Sequence, residues 1–296
     1  MQFYKQYKSS SKPVISFEIF PPKTDQGYDN LIDTLNELKE LSPDYITVTY
    51  GAMGTTRDKT IEIASYVQKE FKINTACHLT CVSATKDEIT EILKEMKQNN
   101  IRNIVALRGD PPAGEKEFKP PENGFSHANE LVGHIRKFEN KYFPEDEKFG
   151  IAVAGYPEKH LEAPSFDIDI MNLKRKVNAG GDIIITQLFF ENSSYFNFLK
   201  LVKSAGIDKP VIPGLMPILS AKQIQKITTM CGSEIPNDLS RKLDDAADDN
   251  TLAKKIGIEQ CTKQARELLE YGVPGIHFYV LNRASHIKEI MDSLDI

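Results

Sequence analysis

The sequence predicts a single (β/α)8 barrel. Three observations carry that expectation. Short β-branched runs alternate with longer amphipathic stretches, the alternation repeats eight times without a break, and 296 residues suit one such barrel of ~250 residues or more. A doubly wound open sheet would alternate in the same way and stands as the second architecture. No linker, repeat or low-complexity segment marks a boundary, so residues 1–296 read as one domain.

The elements follow in order. Val14–Phe20 reads as the first strand, and Leu31, Leu35 and Leu38 recur behind it at helical spacing. Tyr45–Thr49 is the second strand, with a helix through Ile61–Phe71. Thr75–Leu79 is the third; Thr85-x-x-Glu88 forms a capping box before a helix whose Ile89, Ile92, Leu93 and Met96 share one face. Asn103–Leu107 is the fourth, then a loop, Pro111–Ser126, and a helix from about Ala128 to Phe138. Ile151–Ala154 precedes a helix through Ile168–Ala179, and Ile183–Gln187 precedes one through Tyr195–Ala205. Val211–Leu215 leads into helices through Ile224–Met230, Leu239–Ala246 and Leu252–Tyr271; Ile276–Tyr279 leads into the last, Ile287–Leu294.

Composition removes whole classes of function. Hydrophobic residues at 40% and charged residues at 27% suit a globular core. A net charge of −5 gives no basic excess for nucleic acid. No apolar run approaches the ~18 residues of a membrane span, and Met1–Lys12 has no signal-peptide core. Four cysteines without a CxxC pair agree with a cytoplasmic protein. There is no G-x-G-x-x-G after a strand, no P-loop, no H-E-x-x-H and no G-x-S-x-G. No lysine ends a predicted strand, which argues against Schiff-base chemistry.

Chemistry in such a barrel sits at the C-terminal strand ends. On strand 1, Ser16 and Glu18 share one face by period-two alternation. A carboxylate within an aromatic strand is costly unless paired or functional; burial is expected to raise its pKa and suit it to proton donation. Strand 2 ends in Thr49, Tyr50 and Gly51, either two hydrogen-bonding side chains and a point of close ligand approach or simply a β-branched strand running into a turn. On strand 3, Cys77 and His78 point to opposite faces and no second cluster completes a ligand set, so no metal is assigned. His78 is either a satisfied core histidine or a ligand contact. Arg108 and Asp110 flank Gly109 after strand 4, either as a turn-closing pair or as a carboxylate facing a developing cation. Tyr156 and His160 suit a planar ligand, and Asp169, Asn172, Lys174, Arg175 and Lys176 form either a solvated face or a phosphate site. Gln187 suits a flat heterocycle, while Tyr279 and Arg283 suit a ring and an anion or, equally, the start of the helix that follows. Asp244, Asp245, Asp248 and Asp249 read as a solvated helix start.

Taken together these motifs resemble one family. Phe17-Glu18-Ile19-Phe20-Pro21-Pro22, Thr47-Val48-Thr49-Tyr50-Gly51-Ala52, His78-Leu79-Thr80-Cys81, Ala106-Leu107-Arg108-Gly109-Asp110, Tyr156-Pro157-Glu158-Lys159-His160, Asn172-Leu173-Lys174-Arg175-Lys176, Thr186-Gln187-Leu188-Phe189-Phe190 and His277-Phe278-Tyr279-Val280-Leu281-Asn282-Arg283 occur in that order. Each is weak alone; eight in order at strand ends are specific. The chain resembles methylenetetrahydrofolate reductase in its short bacterial-type form, over about Ser16 to Ser293. The resemblance implies a barrel that holds FAD without a Rossmann fold. It implies reduction of FAD by NADH or NADPH, then reduction of methylenetetrahydrofolate to methyltetrahydrofolate at the same flavin face. Glu18 would be the general acid, and Asp110 would tune the flavin and stabilise the iminium cation. FAD would be held by Tyr50, Ala52, His78, Arg108, Gly109, Asp110, Ala128, Tyr156, His160, Ala163, Asp169, Asn172, Arg175 and Lys176. Thr49, Gln187, Gln223, Tyr279 and Arg283 would contact substrate. The family often forms homo-oligomers. Two departures stand out: a longer loop after Asp110, and Ile227 where short bacterial members carry an aromatic against the nicotinamide nucleotide. A flavin-free folate methyltransferase barrel and a flavin-binding sensor without chemistry are the competing readings.

Overall fold

The computed structural model describes residues 1–50, 57–111, 114–115, 117–144, 147–246 and 249–294. Eight parallel strands close into one barrel in sequential order: β1 Val14–Ile19, β2 Tyr45–Val48, β3 Asn74–Thr80, β4 Asn103–Leu107, β5 Gly150–Gly155, β6 Ile183–Leu188, β7 Val211–Leu215 and β8 Gly275–Tyr279. The open-sheet alternative falls because β8 pairs with β1, Ser16 lying opposite His277 and Glu18 opposite Tyr279. Gly275 permits that closure, since a Cβ there would stand 2.2 Å from the Val14 carbonyl.

The helices are α1 Phe3–Ser9, α2 Asp25–Glu40, α3 Arg57–Tyr66, α4 Lys86–Gln98, α5 Ala128–Tyr142, α6 Phe166–Asn178, α7 Asn192–Ser204, α8 Ala221–Cys231, α9 Asn237–Asp245, α10 Asn250–Tyr271 and α11 Ala284–Leu294. The capping box of α4 forms, and Ile89, Ile92, Leu93 and Met96 are its buried face. Strand alternation divides the core in two. Phe17, Ile19, Ile46, Val48, Cys77 and Leu79 pack outward against helices; Val14, Tyr45, Ala76, Val105, Ala152, Ile183, Ile185 and Ile212 fill the barrel interior.

Two features depart from the sequence reading. The helix expected through Phe71 changes at Val67 into a π-helical turn, Val67–Phe71, ending on left-handed Lys72 (φ 59°). The N-terminal segment, for which periodicity gave no element, forms α1 and plugs the N-terminal end of the barrel. Phe3 is fully buried edge-on to Tyr45, 4.8 Å between ring centroids, and its N–H donates to Asn103 Oδ1 at 2.8 Å. With that end shut, the open end lies at the C-terminal tips of the strands.

Among the described residues, no helix is long and apolar enough to cross a membrane.

Candidate active site

A cavity of about 1010 Å³ occupies the C-terminal mouth. Its floor is built from inward positions of β1, β3 and β8. Glu18 Oε2 lies 3.0 Å from His78 Nε2 and 3.3 Å from His277 Nε2. Ser16 Oγ lies 2.8 Å from His277 Nδ1. His277 is fully buried, while the Glu18 side chain keeps 16% exposure towards the cavity.

The expectation that burial raises the Glu18 pKa is overturned. Burial does push it up, but the two imidazoles on Oε2 together outweigh that push and bring it down to about 2. The carboxyl is therefore ionised, and any proton it delivers belongs to the Glu18–His78–His277 cluster rather than to Glu18 alone. His78 is a cavity-lining residue bonded to Glu18, and Cys77 beside it points the other way, its thiol towards the Thr60 carbonyl.

The loop after β4 supplies the first wall. Gly109 takes φ +87°, and a Cβ there would meet Val82 Cγ2 at 2.5 Å, so this turn needs glycine. Arg108 does not pair with Asp110. Its guanidinium binds Glu162 through both terminal nitrogens, at 2.5 and 2.7 Å, and covers Phe118 at 5.2 Å. Asp110 is exposed at the rim, with no ion pair among the described residues. Ala128, the first residue of α5, lines the same wall.

The β5–α6 region supplies the second wall. Tyr156 and His160 meet edge to face at 4.6 Å. The Glu162 N–H donates to His160 Nδ1 at 3.1 Å, which leaves the ring proton on Nε2. Burial lowers the pKa of that imidazole. Ala163 is buried beside it. Asp169, only 6% exposed, accepts the His160 N–H at 3.1 Å. Asn172 Oδ1 accepts from Arg175 at 2.8 Å. Lys176 Nζ donates to the Ala154 carbonyl at 2.6 Å, sits 5.5 Å above the Tyr156 ring and has no carboxylate within ion-pair distance among the described residues. Burial pulls its pKa down to about 8 against the opposing field of Asp169. A half-buried ammonium without a bonded counter-charge is costly until an anion arrives. The wall thus fits an anionic ligand that also carries hydroxyls. The basic cluster is a ligand wall for Arg175 and Lys176; Lys174 turns away, donating to the Ala205 carbonyl.

Further lining comes from Thr49, Tyr50, Gln187, Leu188, Met216, Ile227, Tyr279 and Leu281. Tyr279 donates to the Thr186 carbonyl at 2.7 Å, and Gln187 Oε1 accepts the Leu188 N–H at 2.9 Å. Gln223, in the first turn of α8, and Arg283, exposed just before α11, are not part of the lining. Gly51, Ala52 and Asp248 lie outside the described residues. Sequence reasoning missed His277, Ser16 and Glu162 as parts of the site. Parity was the available signal for two: His277 and Tyr279 stand on β8 as Ser16 and Glu18 stand on β1. Glu162 carried none.

Comparison with known proteins gives the family. The family model for methylenetetrahydrofolate reductase matches residues 3–295. The chain is 38% identical to the 5,10-methylenetetrahydrofolate reductases of Salmonella typhimurium and Escherichia coli, covering 95% of this chain and 90% of each relative. It is 37% identical to methylenetetrahydrofolate reductase (NADH) 1 of Arabidopsis thaliana over 94% of this chain, and spans about half (48%) of that relative's length. Among solved structures, an uncharacterized Clostridium thermocellum protein that binds two copies of 5-methyl-5,6,7,8-tetrahydrofolic acid aligns with TM-score 0.65. That match covers 98% of this chain and 96% of the other at 19% identity, a likeness of fold. With the family model matched over almost its whole length and relatives this similar, the chain belongs to the methylenetetrahydrofolate reductase family.

Proposed function

We propose that this chain is a flavin-dependent reductase that takes a hydride from NADH or NADPH and delivers it to methylenetetrahydrofolate, forming methyltetrahydrofolate. The two substrates use one site in turn, and residues 1–296 act as one catalytic domain. The observation that supports this most is the Glu18 carboxylate, held by two imidazoles on the floor of a cavity whose wall carries the half-buried Lys176. A polar proton-handling floor beside an anion-binding wall is what a reductase of a ring-closed folate needs.

FAD, when bound, supplies a two-electron carrier between the two substrates. Arg175 and Lys176 would neutralise its pyrophosphate; Asp169, Asn172 and the Nε2–H of His160 would meet its hydroxyls. Arg108, held by Glu162, would act as a fixed donor, and Gly109 would let the backbone come close to the ring. Tyr50, His78, Ala128, Tyr156 and Ala163 would complete that contact surface, and Ala52, outside the described residues, is assigned with them by the resemblance alone. Thr49, Gln187 and Tyr279 would orient the pterin, and Gln223 and Arg283 would reach substrate from outside the cavity lining.

Asp110 places a carboxylate at the rim, where it favours positive charge developing on the folate. Glu18 passes a proton to the nitrogen that leaves as the five-membered ring opens. The composition suits a cytoplasmic enzyme, and the family's habit of forming homo-oligomers carries over. Nucleic acid and membrane play no part in this reading.

The test is product formation: purified protein with FAD, NADH or NADPH, and methylenetetrahydrofolate should yield methyltetrahydrofolate by mass spectrometry. No product with either nucleotide would overturn the assignment.

A further inference from the structure

The seam between β1 and β8 ends in a rung made by a side chain. Glu18 stands opposite Tyr279 as the last pair of that ladder, and the Val280 N–H donates to the Glu18 carbonyl at 3.1 Å. A parallel ladder would next join the Phe20 N–H to the Val280 carbonyl and the Asn282 N–H to the Phe20 carbonyl. The chain departs from that pattern. Leu281 and Asn282 both turn left-handed, at φ 55° and 52°, and the Val280 carbonyl accepts the Arg283 N–H at 3.1 Å instead. The Asn282 side chain takes over both places: its Oδ1 accepts the Phe20 N–H at 3.0 Å, and its Nδ2–H donates to the Phe20 carbonyl at 2.8 Å. Asparagine tolerates the left-handed region better than most residues, so it can both make the turn and close the rung.

This clamp joins the two loops that carry Phe20 and Leu281, and both of those side chains line the cavity. Phe20 follows Glu18 by two residues, so it shares the inward face and stands one step nearer the open end. Its ring is 43% exposed. An aromatic face left open beside a cavity gains by packing on a flat ligand. Thr34 of α2 donates to the Asn282 carbonyl at 3.2 Å and ties the clamp to the outer layer of the barrel.

We propose that Asn282 is a positioning residue for folate binding: it holds Phe20 where that ring packs on the benzoyl ring between pterin and glutamate. The proposal rests on the reductase reading above. Order along the site supports it. Glu18 on the floor meets the reacting end of the pterin, Phe20 lies one step outward, and Arg283, exposed next to Asn282, lies beyond the lining. A folate presents pterin, benzoyl ring and glutamate carboxylates in that same sequence. Asn282 acts through Phe20 and not on the reacting atoms, and the Glu18 backbone keeps its own bond from Val280 whatever stands at position 282. The residue therefore governs how tightly the folate binds rather than how fast the bound folate reacts.

Asn282→Gly keeps the left-handed backbone without strain and removes both side-chain bonds. Equilibrium dialysis of methyltetrahydrofolate against the FAD-loaded protein should give a Kd about tenfold above wild type, the scale of one aromatic contact. In stopped flow, the methylenetetrahydrofolate concentration that half-saturates reoxidation of reduced enzyme should rise by the same factor, with the limiting rate unchanged. Phe20→Ala should weaken binding about as much, and the double variant no more than Phe20→Ala alone, because one contact cannot be lost twice. Asn282→Asp keeps the side-chain volume and loses only the bond to the Phe20 carbonyl, so it gives the same cycle if Asn282→Gly does not fold. Losses that add in the double variant would trace the effect to a neighbour such as Arg283 and overturn the proposal. Wild-type affinity in both Asn282 variants, or a lower limiting rate with unchanged Kd, would overturn it too. Wild-type protein that binds no folate would overturn the reductase reading, and the proposal with it; wild-type binding with additive losses would overturn the proposal alone.

Discussion

Replacing Glu18 with glutamine should divide the reaction into two halves. Glutamine keeps the length of the side chain, and its carbonyl oxygen can accept the bonds that His78 and His277 make to Oε2, now 3.0 and 3.3 Å long. The floor therefore stays in place, and hydride transfer from NADH to the flavin should remain within about tenfold of wild type, an indirect disturbance of at most ~1.4 kcal/mol. The folate half is different, because the leaving nitrogen needs a proton that an amide cannot give. General acid catalysis is worth roughly 10²–10⁴, or about 3–5 kcal/mol of barrier, and the folate half should lose that much. Anaerobic stopped-flow absorbance of the flavin measures each half separately. Equal losses in both would make Glu18 a structural support, and a normal folate half would place the acid elsewhere. The substitution also has a pH signature. A folded pKa near 2 against 4.5 makes ionised Glu18 stabilising above pH ~4.5, by up to about 3 kcal/mol, with that contribution lost as pH falls towards 2. The stability gap between wild type and Glu18→Gln in urea should shrink over that window.

Three further outcomes follow from the walls. Saturating FAD should raise the melting temperature, since a hundredfold excess over Kd stabilises by about 2.7 kcal/mol, and no shift by calorimetry would refute the cofactor site. Asp110→Asn should slow the folate half, and the NADH half as well if the carboxylate tunes the flavin; wild-type rates in both would remove Asp110 from the mechanism. Lys176→Met should weaken FAD binding at least tenfold by fluorescence titration while sparing the apoprotein's stability, because a half-buried cation without a bonded carboxylate is costly before the ligand arrives. Undiminished affinity would mean that the anionic group lies away from α6.

The barrel was legible because its strands are buried on both faces and so read as dense β-branched runs, such as Ile183-Ile184-Ile185, separated by helices with single apolar faces. Helix α1 was not legible: seven residues carry too few turns for periodicity, and only contact with Tyr45 and Asn103 explains it. The site divides in the same way. Period-two alternation set Ser16 and Glu18 on one face, but the partners that decide the ionisation of Glu18 come from strands 60 and 259 residues away. Burial was the visible local cause and pointed upwards; barrel closure brought the imidazoles that reverse it. Arg108 is a similar case: the carboxylate near in sequence, Asp110, is not its partner, and Glu162, 54 residues on, is.

On the proposed function, one cavity should pass a hydride from a nicotinamide nucleotide to a folate by way of a bound flavin. The most direct test follows flavin absorbance of the purified FAD-loaded protein in a single anaerobic cell. NADH or NADPH should bleach it fully in the absence of folate, and methylenetetrahydrofolate added afterwards should restore the colour with one methyltetrahydrofolate formed per flavin. A flavin that neither nucleotide bleaches, or one that is bleached but stays reduced when the folate is added, would contradict the account.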